Sequence, residues 1–416
     1  MAIPHDLNFK MYLPATGEQE VQHKKTNPVN GASFNSNDTH CEFRIGGNQA
    51  NKFVDGNGLY ILATFATGVA NTSLTKYGVL SAISRIVVES TGGTQLCDIN
   101  NYHALKRIKA TENADIDYVA NDGVMLHGTS GGDSNVAINA ARTFMIPLDN
   151  LGLDQYIPLL SEGLVFKCYW ATAFDYCYEI TTANLVATDM AITNVSLNYD
   201  IVELSDAAMN QMIQDTGGKF IMQNSTYIRT GTTLAAATGL DLSITAGRTK
   251  VKKIYACLRP NAATAHAADR ADRLNMSIST LTSSYLEIDG TKVNDKTLTF
   301  APSNVADVLM AIRKARNVPL HVMGQTMREP DSFQTVVSPQ TAATRPNIFY
   351  WVFDLTDGTD TRLSKSGLNI KGNSNVNLNV GASGAASGVL DVFVEYENTI
   401  VLDMSAGGDR TFQVFN

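Results

Sequence analysis

The sequence predicts an all-β chain made of two similar halves of roughly 200 residues, joined by a short helix. Three observations lead there. Residues 82–107, AISRIVVESTGGTQLCDINNYHALKR, read as strand, glycine turn, strand and helix in quick succession. Residues 205–218 carry a second helix pattern almost at the midpoint of the 416 residues. The two halves also close alike, on NVSLNYDIVELS and DVFVEYENTIVLD; setting Tyr199 on Tyr396 gives an offset of 396 − 199 = 197. The helix patterns around Leu105 and Leu309 differ by 309 − 105 = 204, so one all-β unit per half accounts for both spacings.

Taken in order, residues 1–32 read as an arm. Pro4, Pro14, Gly17, Pro28 and Gly31 interrupt every period, so the segment is expected to order against a partner. Cys41, Phe43 and Ile45 then alternate with polar residues. Residues 59–65 form a run apolar on both faces, as in a strand covered on two sides. In the 82–107 unit, Thr91-Gly92-Gly93 is the reversal, because glycine takes a positive φ without a Cβ penalty. Asp98 is the expected cap of a helix whose inner face is Tyr102, Leu105 and Ile108. Residues 111–143, rich in Gly, Asn and Asp, read as a long loop. The tripeptides 146–148 and 157–159, both Ile-Pro-Leu, mark strand ends or sheet edges, since proline lacks a ladder donor. Strands follow at 163–172 and 191–204. Ser205 then caps a helix with Met209, Met212 and Ile213 on one face, stopped by Gly217-Gly218.

In the second half, strands are expected at 241–244, 251–258, 274–278, 285–288, 348–354 and 389–402. A helix is expected after the cap Ser303, with Val305, Val308, Leu309 and Ile312 along one stripe. The resulting division is an arm 1–32, a first unit 33–204, a linking helix 205–218, a second unit 219–404 and a tail 405–416.

Composition narrows the function classes. Charged residues make up 17% of the chain, against roughly 25% in ordinary soluble domains. A surface of small neutral polar groups costs little to desolvate, which favours a protein covered by neighbours. The net charge of −8 opposes specific nucleic-acid binding, which rests on clustered Lys and Arg. Two basic runs, Arg248-Thr249-Lys250-Val251-Lys252-Lys253 and Arg313-Lys314-Ala315-Arg316, read as solvated faces. The five cysteines, Cys41, Cys97, Cys168, Cys177 and Cys257, are odd in number and far apart. They read as buried thiols of a reducing compartment, with no zinc site and no disulfide framework. The N-terminus lacks a signal-peptide layout, and the longest apolar stretch, 58–70, is shorter than the roughly twenty residues that span a bilayer.

Motifs for chemistry are sparse. Gly128-Thr129-Ser130-Gly131-Gly132 matches G-x-S-x-G, with 124–126 as a strand and His266 or His321 as base, but no alternating β and α elements surround it. A glycine-rich loop is the reading taken, and no catalytic residue or cofactor is expected. Asp354, Asp357 and Asp360 form D-x-x-D-x-x-D, which could offer oxygen ligands to Ca²⁺ but reads better as a turn. Trp170 and Trp351 sit in strand runs and read as core.

Four passages together resemble the major capsid proteins of the double jelly-roll lineage of tailless icosahedral viruses, bacteriophages foremost. They are FVDGNGLYILATF, SRIVVESTGGTQL with NNYHAL, FMIPLDNLGLDQYIPLLSEGLVFKCYW and NVSLNYDIVELS, spread over 53–205. Cys97 departs from the pattern, which carries an acidic residue after the glycine turn. The resemblance implies two consecutive eight-stranded jelly-roll barrels and a homotrimer forming a pseudo-hexagonal capsomer. It implies loops 111–143 and 262–273 in an outer tower or in the lateral contacts, and vertex, penton and minor capsid proteins as partners. The barrel bases and the arm 1–32 would face neighbours, vertex proteins or an internal membrane, and a place in the virion capsid and assembly in the host cytoplasm also belong to that expectation. The rival reading is a two-domain β protein that binds a receptor or carbohydrate, as a fibre or spike module does.

Overall fold

The computed structural model describes residues 19–36, 40–113, 118, 121–129, 136–179, 185–186, 188–244, 248, 250–259, 274, 276, 281–293, 297–300, 306–316, 349–356, 367–370, 374–405 and 410–415. In the first half, the strands are β1 (Gln19–Thr26), β2 (Ser33–Asn35), β3 (His40–Ile45), β4 (Lys52–Asp55), β5 (Tyr60–Thr67), β6 (Thr72–Leu74), β7 (Ile83–Ser90) and β8 (Gln95–Asn100). Helices α1 (Tyr102–Asn113) and α2 (Asp122–His127) precede β9 (Arg142–Pro147), β10 (Tyr156–Pro158), β11 (Leu164–Trp170), β12 (Cys177–Glu179) and β13 (Met190–Leu204). Helix α3 (Asp206–Thr216) leads into β14 (Lys219–Ser243), β15 (Val251–Arg259), β16 (Leu281–Ile288), β17 (Thr291–Lys292) and β18 (Leu298–Thr299). Helix α4 (Ala306–Ala315), β19 (Tyr350–Asp354), β20 (Val376–Asp403) and β21 (Phe412–Phe415) complete the chain.

Among the described residues these strands form four antiparallel sheets. One runs β10-β4-β13-β5-β9, with β1 and β2 also on β13; a second runs β3-β11-β7-β8; β12 and β6 pair alone. The fourth runs β17-β16-β20-β15-β19, with β14 and β21 on β20 and β18 on β16. The duplication is visible in the pairing itself. The order β1-β13-β5-β9 of the first half returns as β14-β20-β15-β19 in the second. Tyr199 faces Lys24 and Tyr396 faces Thr226, each on the strand that opens its half.

Several local readings hold for the stated reasons. Gly93, at φ +90°, turns β7 into β8, and the Ser90 hydroxyl accepts from the Gly92 and Thr94 amides at 3.2 Å. Both Ile-Pro-Leu tripeptides end strands, and those strands, β9 and β10, are the two edges of their sheet. Ser205 caps α3 by accepting from the Ala208 amide, and Gly217 ends it in the left-handed conformation.

Other readings are corrected. Gln19–Thr26, placed in the arm, is a strand along β13, and Phe412–Phe415, placed in the tail, pairs with β20. Each finds open backbone groups at a sheet edge, a tertiary circumstance that local composition does not reveal. The 59–65 run is buried on one face only, with Ile61, Ala63 and Phe65 inward. Asp98 does not cap α1; it lies in β8 and takes both Nε and Nη2 of Arg85, at 2.9 and 2.7 Å. The turn into α1 is made by Asn101, at φ +53°, whose carbonyl accepts from Ala104 and Leu105. Within 111–143, α1 runs on to Asn113, and α2 replaces what was expected to be loop. The largest omission is β14, 25 residues long, matched along β20 from Lys219↔Asp403 to Ser243↔Asn377. Of the expected 274–278 strand only Leu274 and Met276 are described, both buried, while Ser303 and loop 262–273 lie outside the described residues.

Glycine is required where backbones touch. A Cβ on Gly163 would lie 2.0 Å from the Ile45 carbonyl oxygen and 2.6 Å from the Gly47 amide nitrogen. Gly163→Ala therefore lowers stability by about 1–3 kcal/mol. Gly68→Ala, with nothing within 4 Å of the added carbon, changes it by about 0.5 kcal/mol or less; thermal unfolding of the two variants side by side checks the difference.

Candidate functional site: a charged seam between the two halves

Helix α1 is the centre of the site. Its apolar face, Tyr102, Leu105 and Ile108, is buried as expected, but its polar residues are buried too: His103, Lys106, Arg107, Lys109, Thr111 and Glu112. A helix buried on all sides must satisfy each charge within the protein. Arg107, fully inaccessible, donates from Nε to the Ser81 hydroxyl at 2.8 Å and from Nη2 to the Asp175 carbonyl at 2.6 Å, and stacks over Tyr77. Lys106 donates to the Pro147 carbonyl at 3.1 Å and pairs with Asp149. These contacts seat the helix in the first half.

Lys109 and Glu112 face the second half. Lys109 Nζ donates to the Tyr255 hydroxyl of β15 at 2.7 Å and lies 3.7 Å from Glu395 of β20 and 3.4 Å from Glu112. It also sits 4.1 Å from the centre of the Tyr255 ring and 5.3 Å from that of Tyr227, a cation–π arrangement. Tyr255 passes its own proton toward Glu395 at 3.3 Å, and Tyr350 of β19 donates to Glu112 at 3.3 Å. Burial works to raise the Glu395 carboxyl. Lys109, Lys253, the Tyr227 hydroxyl and Lys252 outweigh it and hold the group below the ordinary glutamate range.

A second cluster lies at the start of α1. Asp391 of β20, fully buried, accepts from Asn101 Nδ2 at 3.0 Å and from Arg229 Nε at 2.8 Å, and pairs with Arg259. Between the clusters, Thr226 donates to the Cys97 sulfur at 3.7 Å and Asn398 to the Leu96 carbonyl at 3.5 Å. Gly152, at φ +70°, lets the 149–152 link close on Thr226, 2.9 Å from where a Cβ would stand. Glu162, beside the β7–β8 turn, accepts the Phe412 amide at 2.8 Å. The Cys97 side chain is inside the seam, where burial pushes the thiol up to about 12, and its neighbour Asp98 points to Arg85 instead.

The candidate chemical motifs fall only in part within the described residues. Residues 124–126 lie in α2, so no strand leads into the G-x-S-x-G run; Ser130, His266 and His321 lie outside the described residues. Asp354 accepts from the Thr356 amide and hydroxyl at 3.1 and 2.6 Å, a local turn; Asp357 and Asp360 lie outside the described residues. Trp170 and Trp351 are core residues, and Trp351 Nε1 donates to Ser284. The run around Lys250 is not a solvated face. Lys250 and Lys252 meet Glu397, and Lys253 meets Glu395, because β20 places alternate glutamates beside β15. The seam itself was invisible in the sequence, where Tyr102, Leu105 and Ile108 were the only residues of this helix assigned a buried face and Glu112 fell in the expected loop 111–143. The one available signal was a helix carrying three cations, Lys106, Arg107 and Lys109, beside His103, against one carboxylate, Glu112.

Lys109→Met leaves Glu112 buried without its cation and takes from Glu395 the nearest of its cations, with Lys253 remaining at 4.0 Å; it destabilises the protein by about 3–5 kcal/mol, and adding Glu395→Gln recovers part of the loss in thermal unfolding. Because the folded carboxyl of Glu395 is depressed, its stabilisation is fully present above the ordinary glutamate value of 4.5 and is lost as pH falls from there through the lower folded value. Acid titration of stability in the wild type and in Glu395→Gln measures this, with a shallower acid slope expected for the variant.

No family model matches the sequence, and no curated protein matches it. Solved structures do. The PBCV-1 virus capsid, as a quasi-atomic model, aligns with TM-score 0.63 at 10% identity over 95% of this chain and 96% of that one. The Faustovirus major capsid protein aligns with TM-score 0.56 at 9% identity over 93% and 91%. The mavirus major capsid protein aligns with TM-score 0.54 at 12% identity over 100% and 95%. With two matching strand orders joined through one seam along nearly the whole chain, the protein has the double jelly-roll fold of capsid proteins.

Proposed function

We propose that the protein is a major capsid protein, a structural subunit that builds an icosahedral virus shell by self-association. The observation that carries this reading is the fold shared with capsid subunits over almost the full length of both chains. The seam supports it physically. Two similar barrels locked in one orientation make a rigid block, and three such blocks around an axis present six similar lobes. A trimer of this chain is then a pseudo-hexagonal capsomer, with no catalytic role. Its partners are other capsomers and vertex and minor capsid proteins, in the virion capsid after assembly in the host cytoplasm. The low charged fraction suits many modest lateral contacts summed by symmetry.

Light scattering on the purified chain, with negative-stain images of the same peak, tests the proposal. The expected mass is three times the 44.9 kDa chain, about 135 kDa, with six-lobed or hexagonal outlines. A monomer that stays monomeric at micromolar concentration, with no such outlines, overturns it.

A further inference from the structure

One pair of reactive groups is brought together by strand register alone. Cys41 of β3 and Cys168 of β11 are 127 residues apart in the chain, and antiparallel pairing sets them directly opposite each other. Both are free thiols and fully buried. The Cys41 thiol leans onto the partner strand, donating to the Cys168 carbonyl at 3.6 Å. Directly opposed residues in such a pair have Cα atoms about 4.5–5.5 Å apart, within the roughly 4.4–6.8 Å that a disulfide spans. The other three cysteines have no such neighbour. Cys97 faces Val88, Cys177 faces Leu74, and Cys257 faces Tyr350 and Asp391.

The position of β3 supplies a route for reaction. It is an edge strand of its sheet, so β11 pairs with it on one side only. On the other side it meets Val29, whose amide donates to the Glu42 carbonyl, and Asn30, which bonds the His40 carbonyl and the Glu42 amide. Lifting an edge strand breaks one ladder, against two for a central strand such as β11 or β7.

We propose that Cys41 and Cys168 are a modification site, which closes into a cross-strand disulfide when the folded protein meets a low-molecular-weight disulfide outside a reducing compartment. One protein thiolate attacks a sulfur of the external disulfide, forming a mixed disulfide and releasing one small thiol. The second protein thiolate then displaces the other small thiol. Two protein thiols lose two protons and two electrons, and the external disulfide takes up both to become two thiols. Burial pushes the Cys41 thiol well above its ordinary value, with the neighbouring Cys168 adding to the effect. The exchange therefore waits for β3 to open, and is slow in the native protein. Once formed, the bond ties the edge strand to the sheet that borders the seam through β8 and closes a loop of more than a hundred residues.

The test uses the full chain, purified under reductant and then incubated with glutathione disulfide, with and without urea below the unfolding midpoint. Free thiols are alkylated in denaturant and counted by intact mass, and the linkage is mapped on unreduced peptides. The expected result is a fall from the five thiols to three, a peptide joining Cys41 to Cys168, and faster conversion in urea. A raised thermal midpoint should return to its starting value on adding dithiothreitol. Cys41→Ser should keep its remaining four thiols, and Cys97→Ser should still lose two. Retention of all five thiols in the wild type, glutathione adducts without the internal link, or an unchanged count in Cys97→Ser overturns the proposal. The wild-type peptide map decides it even if a serine variant fails to fold.

Discussion

Lys109, held between Glu112 and Glu395 and under the rings of Tyr227 and Tyr255, is the constraint on which the arrangement of the two halves depends. Its ammonium is removed from water by residues of both halves, and it is compensated only when both are in place. Apolar burial would also hold the halves together, but burial is non-directional and indifferent to small slides. Hydrogen bonds and ion pairs are directional, and a misplaced one leaves a charge in the interior at a cost of several kcal/mol. The Asp391 cluster repeats the device at the other end of α1, with Asn101 from the first half and two arginines from the second. Two such points separated along a helix define an orientation that a single contact would leave free to rotate.

The duplication explains how this chain can use the same pairing order twice and still be asymmetric. In each half a leading strand lies against the closing strand, and the next pair of strands follows on the other side. In the second half these two strands grow to 25 and 28 residues, a long ribbon rich in Gly, Ala, Ser and Thr. In the first half the comparable extra material is α1 and α2, placed between β8 and β9. One insertion thus contributes the seam, and the other a long antiparallel ribbon. In the capsomer proposed above, a fixed orientation between similar units would let three chains supply six comparable lobes.

Charge placement follows the same division. The 17% of charged residues is low, and a notable share is spent inside. Lys106, Arg107, Lys109, Glu112, Asp391 and Glu395 are all buried. The lysines of the 250–253 run are drawn to Glu395 and Glu397 instead of forming a track for phosphates.

The sequence by itself determined those features that depend on neighbours along the chain. Gly92-Gly93 specifies a reversal, Ser205 and Gly217 bound a helix, and the Ile-Pro-Leu pairs end strands because proline has no amide to donate. Alternation over residues 190–204 gave β13 for the same reason, since side chains on a strand point to opposite faces in turn. Only the tertiary structure decided the rest. A run such as TGTTLAAATG has no apolar period, and becomes strand because β20 lies alongside to take its backbone hydrogen bonds. The β1 and β21 segments become strands by the same means at open sheet edges. The buried charges of α1 have the spacing of a solvated helix face, and nothing local distinguishes Lys109 from an exposed lysine. Its partners lie on strands of the other half, Glu395 among them, and only the folded chain brings that carboxylate within reach.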